Sequence, residues 1–276
     1  MSGRYCIVNG RLRPADEPAV SPYDRNFSLG DGLFETLKVH GGKAVWLEEH
    51  LERMEKSAAF ARINFVQKES CEELCELLIE KNGISGGFLR ITLSRGRSPS
   101  GRFHDLPHDT ELVITGGDTE TGGGSISAGF APWPVNENDP ASFHKTTSRF
   151  SNVLAKLEAE RLGVDDLLFV NTKGELTESI FSNVFWAVDG GLFTPAVECG
   201  LLAGITRAKV IHIAGRLGLT VNRGRFGRDA LGDADEIFFT NSTGGVRPCH
   251  ALDGNEIKTG EITRSLEKEI ARLMEK

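Results

Sequence analysis

The chain has 276 residues and a mass of 30.1 kDa, enough for one large or two modest domains and far beyond a disulfide-stapled miniprotein. Hydrophobic residues make up 39% and charged residues 26%, which excludes collagen-like and disordered chains and leaves a soluble globular protein. Lys and Arg number 32 against 39 Asp and Glu, a net charge of -7; that balance repels a phosphate backbone, and no local basic patch reverses it, so no nucleic-acid partner is expected.

The opening reads as a hairpin: Tyr5 to Val8 is an apolar run of high strand propensity, and Asn9-Gly10 tolerates the positive φ of a tight turn. Leu33 to Val39 alternates and turns at Gly41-Gly42 into Ala44 to Trp46. Helical periodicity then takes over, with Leu47, Leu51, Met54, Ala58 and Ala61 at three- and four-residue steps. A second helix places Cys71, Leu74, Cys75 and Leu78 on one face, so its two cysteines read as small core residues. Phe88 to Ser94 and Glu111 to Thr115 follow as strands, and Gly116 to Gly124 has the composition of a linker.

Beyond it, a helix from about Ser151 to Leu162 closes at Gly163, and strands are expected at Leu167 to Val170 and Val184 to Val188. A helix from Thr206 to Leu217 stops at Gly218, a strand covers Glu236 to Thr240, and a terminal helix carries Ile262, Leu266, Ile270 and Leu273. The pattern predicts a mixed α/β chain of α+β type in two domains: residues 1–115, a linker at 116–124, and a larger domain at 125–276. Their shared cleft is the expected ligand site.

The five cysteines, Cys6, Cys71, Cys75, Cys199 and Cys249, fit no common zinc or disulfide framework and are expected to be reduced thiols. The first residues lack the apolar core of a signal peptide, and no apolar run reaches the length of a membrane span; a cytoplasmic location is the resulting expectation.

Chemistry is suggested first by Gly204-Ile205-Thr206-Arg207, which stands at a helix start where free N–H groups and the helix dipole favour an anion. An ordinary N-cap is the alternative there. A hydroxyl-rich loop, Thr240-Asn241-Ser242-Thr243-Gly244-Gly245, follows a predicted strand, where ligands of α/β sheets gather. Walker, Rossmann and zincin patterns are absent from the sequence.

The run Asp24-Arg25-Asn26-Phe27-Ser28-Leu29-Gly30-Asp31-Gly32-Leu33-Phe34-Glu35-Thr36 resembles the opening signature of the class IV, or fold-type IV, aminotransferases. Further matches follow in family order: Glu49 to Arg53, Lys145 to Arg149, Leu176 to Glu178 with Ser182 to Phe185, Gly204 to Arg207, and Asp235 to Phe238 with the hydroxyl loop. Together they span nearly the whole chain.

The resemblance implies pyridoxal 5'-phosphate (PLP) as cofactor, carried covalently by Lys145, whose amine also moves the proton at the substrate Cα. It implies that Glu178 pairs with the pyridine nitrogen, while Glu175 reads as a solvated turn residue. Arg53, Thr206, the Ile205 amide and Ser242 are implied to hold the phosphate, arginine being suited by its planar fork. Position 150 is Phe150 where branched-chain members carry a tyrosine, and Arg149 is a candidate to replace that tyrosine's hydrogen bond near the ring hydroxyl of PLP.

For the substrate, Arg95-Gly96 followed by Gly101 to Pro107 resembles a segment of the D-amino acid aminotransferases. Arg102 and His104 would then form a carboxylate trap; the trap's tyrosine corresponds here to Phe34, and Thr243 is assigned to the substrate side. The same loop is also similar to that of the aminodeoxychorismate lyases, and as a plain loop its side chains would be solvated. The leading expectation is a ping-pong aminotransferase acting on D-amino acids or other small amino donors. The lyase that yields 4-aminobenzoate and pyruvate is second, and a branched-chain L-amino acid aminotransferase third. A homodimer is implied by the resemblance, with no membrane partner.

Overall fold

The computed structural model describes residues 4–17, 20–65, 68–100, 102–107, 109–118 and 124–275. Contacts divide the chain into two compact units, one of residues 1–121 with 144–149, the other of 122–143 with 150–276. The segment carrying Lys145 therefore belongs by its contacts to the first unit, although in sequence it lies within the stretch assigned to the second domain. Of the expected linker, Gly116 to Asp118 lie in a strand; 119–123 fall outside the described residues.

The first unit is built on β1 (Tyr5–Val8), β2 (Arg11–Pro14), α1 (Arg25–Leu29), β3 (Gly32–His40), β4 (Lys43–Ala44), α2 (Leu47–Ala61), α3 (Cys71–Asn82), β5 (Gly86–Ser94) and β6 (Glu111–Asp118). The strands form one antiparallel sheet in the order β2-β1-β6-β5-β3-β4. Asn9 at φ 49° and Gly10 at φ 77° make the expected hairpin turn. Leu33, Leu37 and Val39 of β3 pack with Leu51, Met54 and Ala58 of α2 and with Cys71, Leu74, Cys75 and Leu78 of α3, so the period-2 and period-3.6 stripes read from the sequence meet in one core.

The second unit contains β7 (Ile126–Phe130), α4 (Phe150–Leu162), β8 (Asp166–Val170), β9 (Leu176–Ser179), β10 (Asn183–Val188), β11 (Gly191–Pro195), α5 (Ile205–Arg216), β12 (Val221–Gly224), β13 (Glu236–Asn241), β14 (Gly245–Leu252), β15 (Asn255–Glu256) and α6 (Glu261–Met274). Its mixed sheet runs β12-β11-β10-β13-β14-β7-β8-β9, and β9 also pairs with β10, closing six strands into a ring at Asn183 and Glu178. Trp186, Ile237 and Phe239 lie in its buried core. On α6 the buried stripe is Thr263, Leu266, Ile270 and Met274, whereas Ile262 and Leu273 of the expected face are half-buried. On α4 the buried residues are only Ala155 and Ala159, while Phe150, Val153, Leu154 and Leu157 are exposed.

All five cysteines are buried and free, and burial pushes the thiols of Cys71 and Cys249 up to about 11. Among the described residues, no helix is long and apolar enough to cross a membrane.

Candidate active site

In the first unit the site is organised by the free edge of β3. Residues 144–149 add to that edge as a short extension: the Phe34 amide donates to the Lys145 carbonyl (2.9 Å), the Thr147 amide to Gly32 (3.0 Å), and Leu33 bridges Thr146. Alternation then sends neighbouring side chains to opposite faces. His144 lies on the α2 side, its Nδ1 3.0 Å from the Ser57 hydroxyl and its ring stacked on Phe60. Lys145 lies on the other, its Nζ 4.6 Å from the centroid of Phe34.

Phe34 is the hub of this second face. Arg90 of β5 stacks its guanidinium 3.9 Å from the ring centroid, and Arg149 approaches to 5.7 Å while its Nε donates to the Thr146 carbonyl. An aromatic face attracts each of these cations, and three of them crowd one ring. Burial, with the repulsion of Arg149 added, lowers the Arg90 pKa, and a cluster of positive charge faces any anion bound there. The sequence motifs assign no role to Arg90.

On the α2 face of the same strand, Glu35 is buried among apolar neighbours and held by two partners from α2. Arg53 grips it with two bonds, Nε to Oε1 at 2.8 Å and Nη2 to Oε2 at 2.6 Å. His50 approaches Oε2 at 2.6 Å; a carboxylate only accepts, so the imidazole proton sits on Nδ1. Burial would push the Glu35 carboxyl up, but the bonds from Arg53 and His50 outweigh it and bring it down to about 2. For His50, burial, with the nearby charges of Arg53 and Lys145, outweighs Glu35 and lowers the pKa; its buried Nε2 has no partner.

Arg102 and His104 sit in an exposed loop. What is buried is the root of that loop, where Arg25 donates to the main-chain carbonyls of Arg102, Phe103 and Asp105.

In the second unit, Glu178 stands where the ring of strands closes. Its Oε2 accepts from Asn183 Nδ2 (3.1 Å) and from the Leu202 amide (3.2 Å), which fixes the carboxylate's orientation. Gly204 precedes α5 beside Asn183, and a Cβ there would lie 2.1 Å from Asn183 Oδ1, so only glycine fits. The first intrahelical bond of α5 is that of the Ala208 amide to the Gly204 carbonyl; the Ile205, Thr206 and Arg207 amides precede it. Thr206, 1% exposed, has a buried hydroxyl with no partner. In the hydroxyl loop, Asn241 Oδ1 accepts from the Thr243 and Gly244 amides and from the Thr243 hydroxyl, and its Nδ2 donates to Ser182. Ser242 beside it is half-buried. Glu175 is no solvated turn residue: it is half-buried, accepts from Asn171 and pairs with Arg225 at 3.1 Å.

A family described as amino-transferase class IV matches residues 32–252, most of the chain and nearly all of the groups just placed. The chain belongs to the class IV aminotransferases. It is 30% identical to the D-alanine aminotransferase of Listeria monocytogenes serotype 1/2a (strain 10403S) over 272 residues, covering 94% of this chain and 92% of that protein. To the aminodeoxychorismate lyase of Bacillus subtilis (strain 168) it is 28% identical over 267 residues, with 94% and 91% covered. A T.th. branched-chain amino acid aminotransferase solved with pyridoxamine 5'-phosphate superposes with a TM-score of 0.91 at 25% identity, covering 99% of this chain and 94% of that one. This class IV aminotransferase is accordingly a PLP-dependent enzyme of fold type IV.

The residues present fit that cofactor. An unsatisfied hydroxyl buried at a helix start beside amides outside the helix ladder is costly unless an anion takes their bonds, and the Glu178 carboxylate, oriented by two donors, is suited to a ring nitrogen that carries a proton.

Proposed function

We propose that this enzyme transfers an amino group between a D-amino acid, or another small amino donor, and a 2-oxo acid in ping-pong order. The observation that carries the reading is the placement of Lys145, half-buried against an aromatic ring with Arg90 and Arg149 gathered on the same side. An amine in that setting can act as nucleophile and base, and the surrounding cations favour a carboxylate-bearing substrate.

PLP, when bound, supplies an aldehyde to accept the amino group and a ring that withdraws electrons from the substrate Cα. Lys145 anchors the cofactor and moves the proton at Cα. Glu178, held by Asn183 and the Leu202 amide, keeps the pyridine nitrogen protonated. Thr206, the Ile205 amide and Ser242 bind the phosphate, and Arg53, oriented by Glu35, adds charge to it. Arg149 takes the place of the tyrosine absent at Phe150 near the ring hydroxyl. Arg102 and His104 hold the substrate carboxylate, with Phe34 and Thr243 shaping the substrate side.

The exposed apolar stripe of α4, Phe150, Val153, Leu154 and Leu157, supports a homodimer, because four large apolar side chains at helical spacing form a continuous patch. The five free thiols support a reducing, cytoplasmic location.

A second reading, the aminodeoxychorismate lyase, is favoured by Phe34, whose ring offers no hydroxyl where the D-specific trap has a tyrosine, and by the 28% identity to a lyase. Incubation with D-alanine and 2-oxoglutarate, and separately with aminodeoxychorismate, separates them. Pyruvate formed with a new amino acid supports transfer, and pyruvate formed with 4-aminobenzoate supports elimination.

A further inference from the structure

The opening signature contains a buried arginine that the proposed chemistry does not use. Arg25 is 4% exposed, sits in the first turn of α1, and is flanked by an unusually complete set of supports. Asp24 before it caps that helix through the Asn26 and Phe27 amides and accepts from the Ser94 hydroxyl at 2.7 Å. The Arg25 amide donates to the Gly96 carbonyl at 2.9 Å. Asp31 takes its Nε at 2.8 Å and is itself held by Arg95, whose other nitrogens reach the Ala61 and Arg62 carbonyls at the end of α2. Burial pushes the Asp31 carboxyl up, but the bonds from Arg95 and Arg25 outweigh it and hold it below its usual range, so the buried guanidinium has a charged partner.

Both of its Nη atoms donate to one loop. Nη1 donates to the carbonyls of Arg102 (2.9 Å) and Asp105 (3.3 Å), and Nη2 to that of Phe103 (3.4 Å). Asp105 tightens the same turn by accepting from the Ser98 and Ser100 hydroxyls, and its amide donates to the Arg102 carbonyl. With the carbonyls of residues 102, 103 and 105 drawn inward, the intervening peptide planes are fixed. Arg102, Phe103 and His104 are left exposed, Phe103 at 77%. A rigid planar fork can hold several carbonyls at once; an ammonium group of the same charge cannot reproduce that geometry.

We infer that Arg25 is a positioning residue for substrate binding: by gripping the backbone of residues 102–105 from below, it sets the directions in which Arg102 and His104 project. This rests on the reading that Arg102 and His104 bind the substrate carboxylate. Arg25 touches no reacting atom, and its removal is expected to loosen binding without slowing the bound complex, because misplacement of a positioning group by a small distance weakens capture of the substrate.

The test is a double-mutant cycle on the PLP-loaded enzyme with D-alanine and 2-oxoglutarate, comparing Arg25→Lys, Arg102→Ala and the pair. Arg25→Lys is expected to raise KM for D-alanine roughly fivefold or more while kcat and the absorption spectrum of the holoenzyme stay unchanged, and to have a smaller effect once Arg102 is alanine, when only His104 is left to be misdirected. A silent Arg25→Lys beside an effective Arg102→Ala overturns the inference alone, as does an effect that multiplies in full with that of Arg102→Ala. A silent Arg102→Ala overturns the carboxylate-trap reading and the inference with it. If Arg25→Lys does not fold, Asp31→Asn, which frees the same guanidinium while leaving it in place, carries the same comparison.

Discussion

Glu35 and Phe34, neighbours on one strand, face opposite ways and serve opposite charges: Glu35 turns to α2 and is locked by Arg53 and His50, while Phe34 turns away and gathers Arg90, Lys145 and Arg149. Because the Lys145 segment is hydrogen-bonded along the same strand, the buried ion pair on one face braces the backbone that presents the amine on the other.

That bracing predicts an acid-side signature. The Glu35 pKa in the folded chain is about 2 against an ordinary value of 4.5, so its stabilisation is complete above the ordinary value and is lost as pH falls from there through about 2. Glu35→Gln is expected to cost about 3 kcal/mol at neutral pH, since it leaves Arg53 without its carboxylate partner, and to remove that acid-side loss. Asp166 works in the other direction: burial raises it from 3.8 to about 6 despite the bonds it accepts from Ser179 and the Leu167 and Ile180 amides, so stability falls as pH rises from about 4 to about 6, and Asp166→Asn should flatten that fall. Urea unfolding free energies measured across pH 3 to 8 check both slopes.

Thr206 predicts a dissection of cofactor affinity. Replacing it with valine removes one hydrogen bond to an anion at the start of α5. PLP affinity should drop roughly tenfold, while pyridoxal, which has no phosphate, binds as before. The unliganded protein should be as stable or more so, because an orphaned buried hydroxyl is gone. Equal losses for PLP and pyridoxal in fluorescence titrations would place the phosphate elsewhere.

The exposed stripe on α4 predicts an interface. Light scattering after size exclusion should give twice the 30.1 kDa chain mass for the unaltered protein, and Leu157→Glu, which sets a charge in the middle of the apolar patch, should shift it toward the single-chain mass. A single-chain mass for the unaltered protein would contradict the homodimer.

Much of this architecture is legible without coordinates. The Asn9-Gly10 hairpin, the alternation of Leu33 to Val39 and the stripes of α2 and α3 appear at their expected positions because each is set by local periodicity and by a residue that tolerates positive φ. The second unit is less readable: β9, β11, β12 and β14 are short or buried on both faces, so they lack the alternation by which a strand is recognised. On α4 the apolar periodicity is present but points outward, since sequence periodicity marks a face and does not say what covers it.

The site divides in the same way. Thr206, Gly204 and Glu178 lie at element ends, where motif spacing has a local structural meaning. The roles of Glu35, Arg90 and Arg25 depend on partners 18, 56 and 77 positions away, which a linear pattern does not pair. One signal was available for Glu35: it occupies an inward position between Leu33 and Leu37, and a carboxylate in such a place requires partners, which α2 supplies from His50 and Arg53 three residues apart on one helix face.

Borohydride reduction of the PLP-loaded protein followed by peptide mass spectrometry shows which lysine carries the cofactor. The phosphopyridoxyl mass is expected on the peptide containing Lys145 and absent from Lys145→Ala, which should fold but not turn over D-alanine. Label on another lysine, or active Lys145→Ala enzyme, would contradict the account.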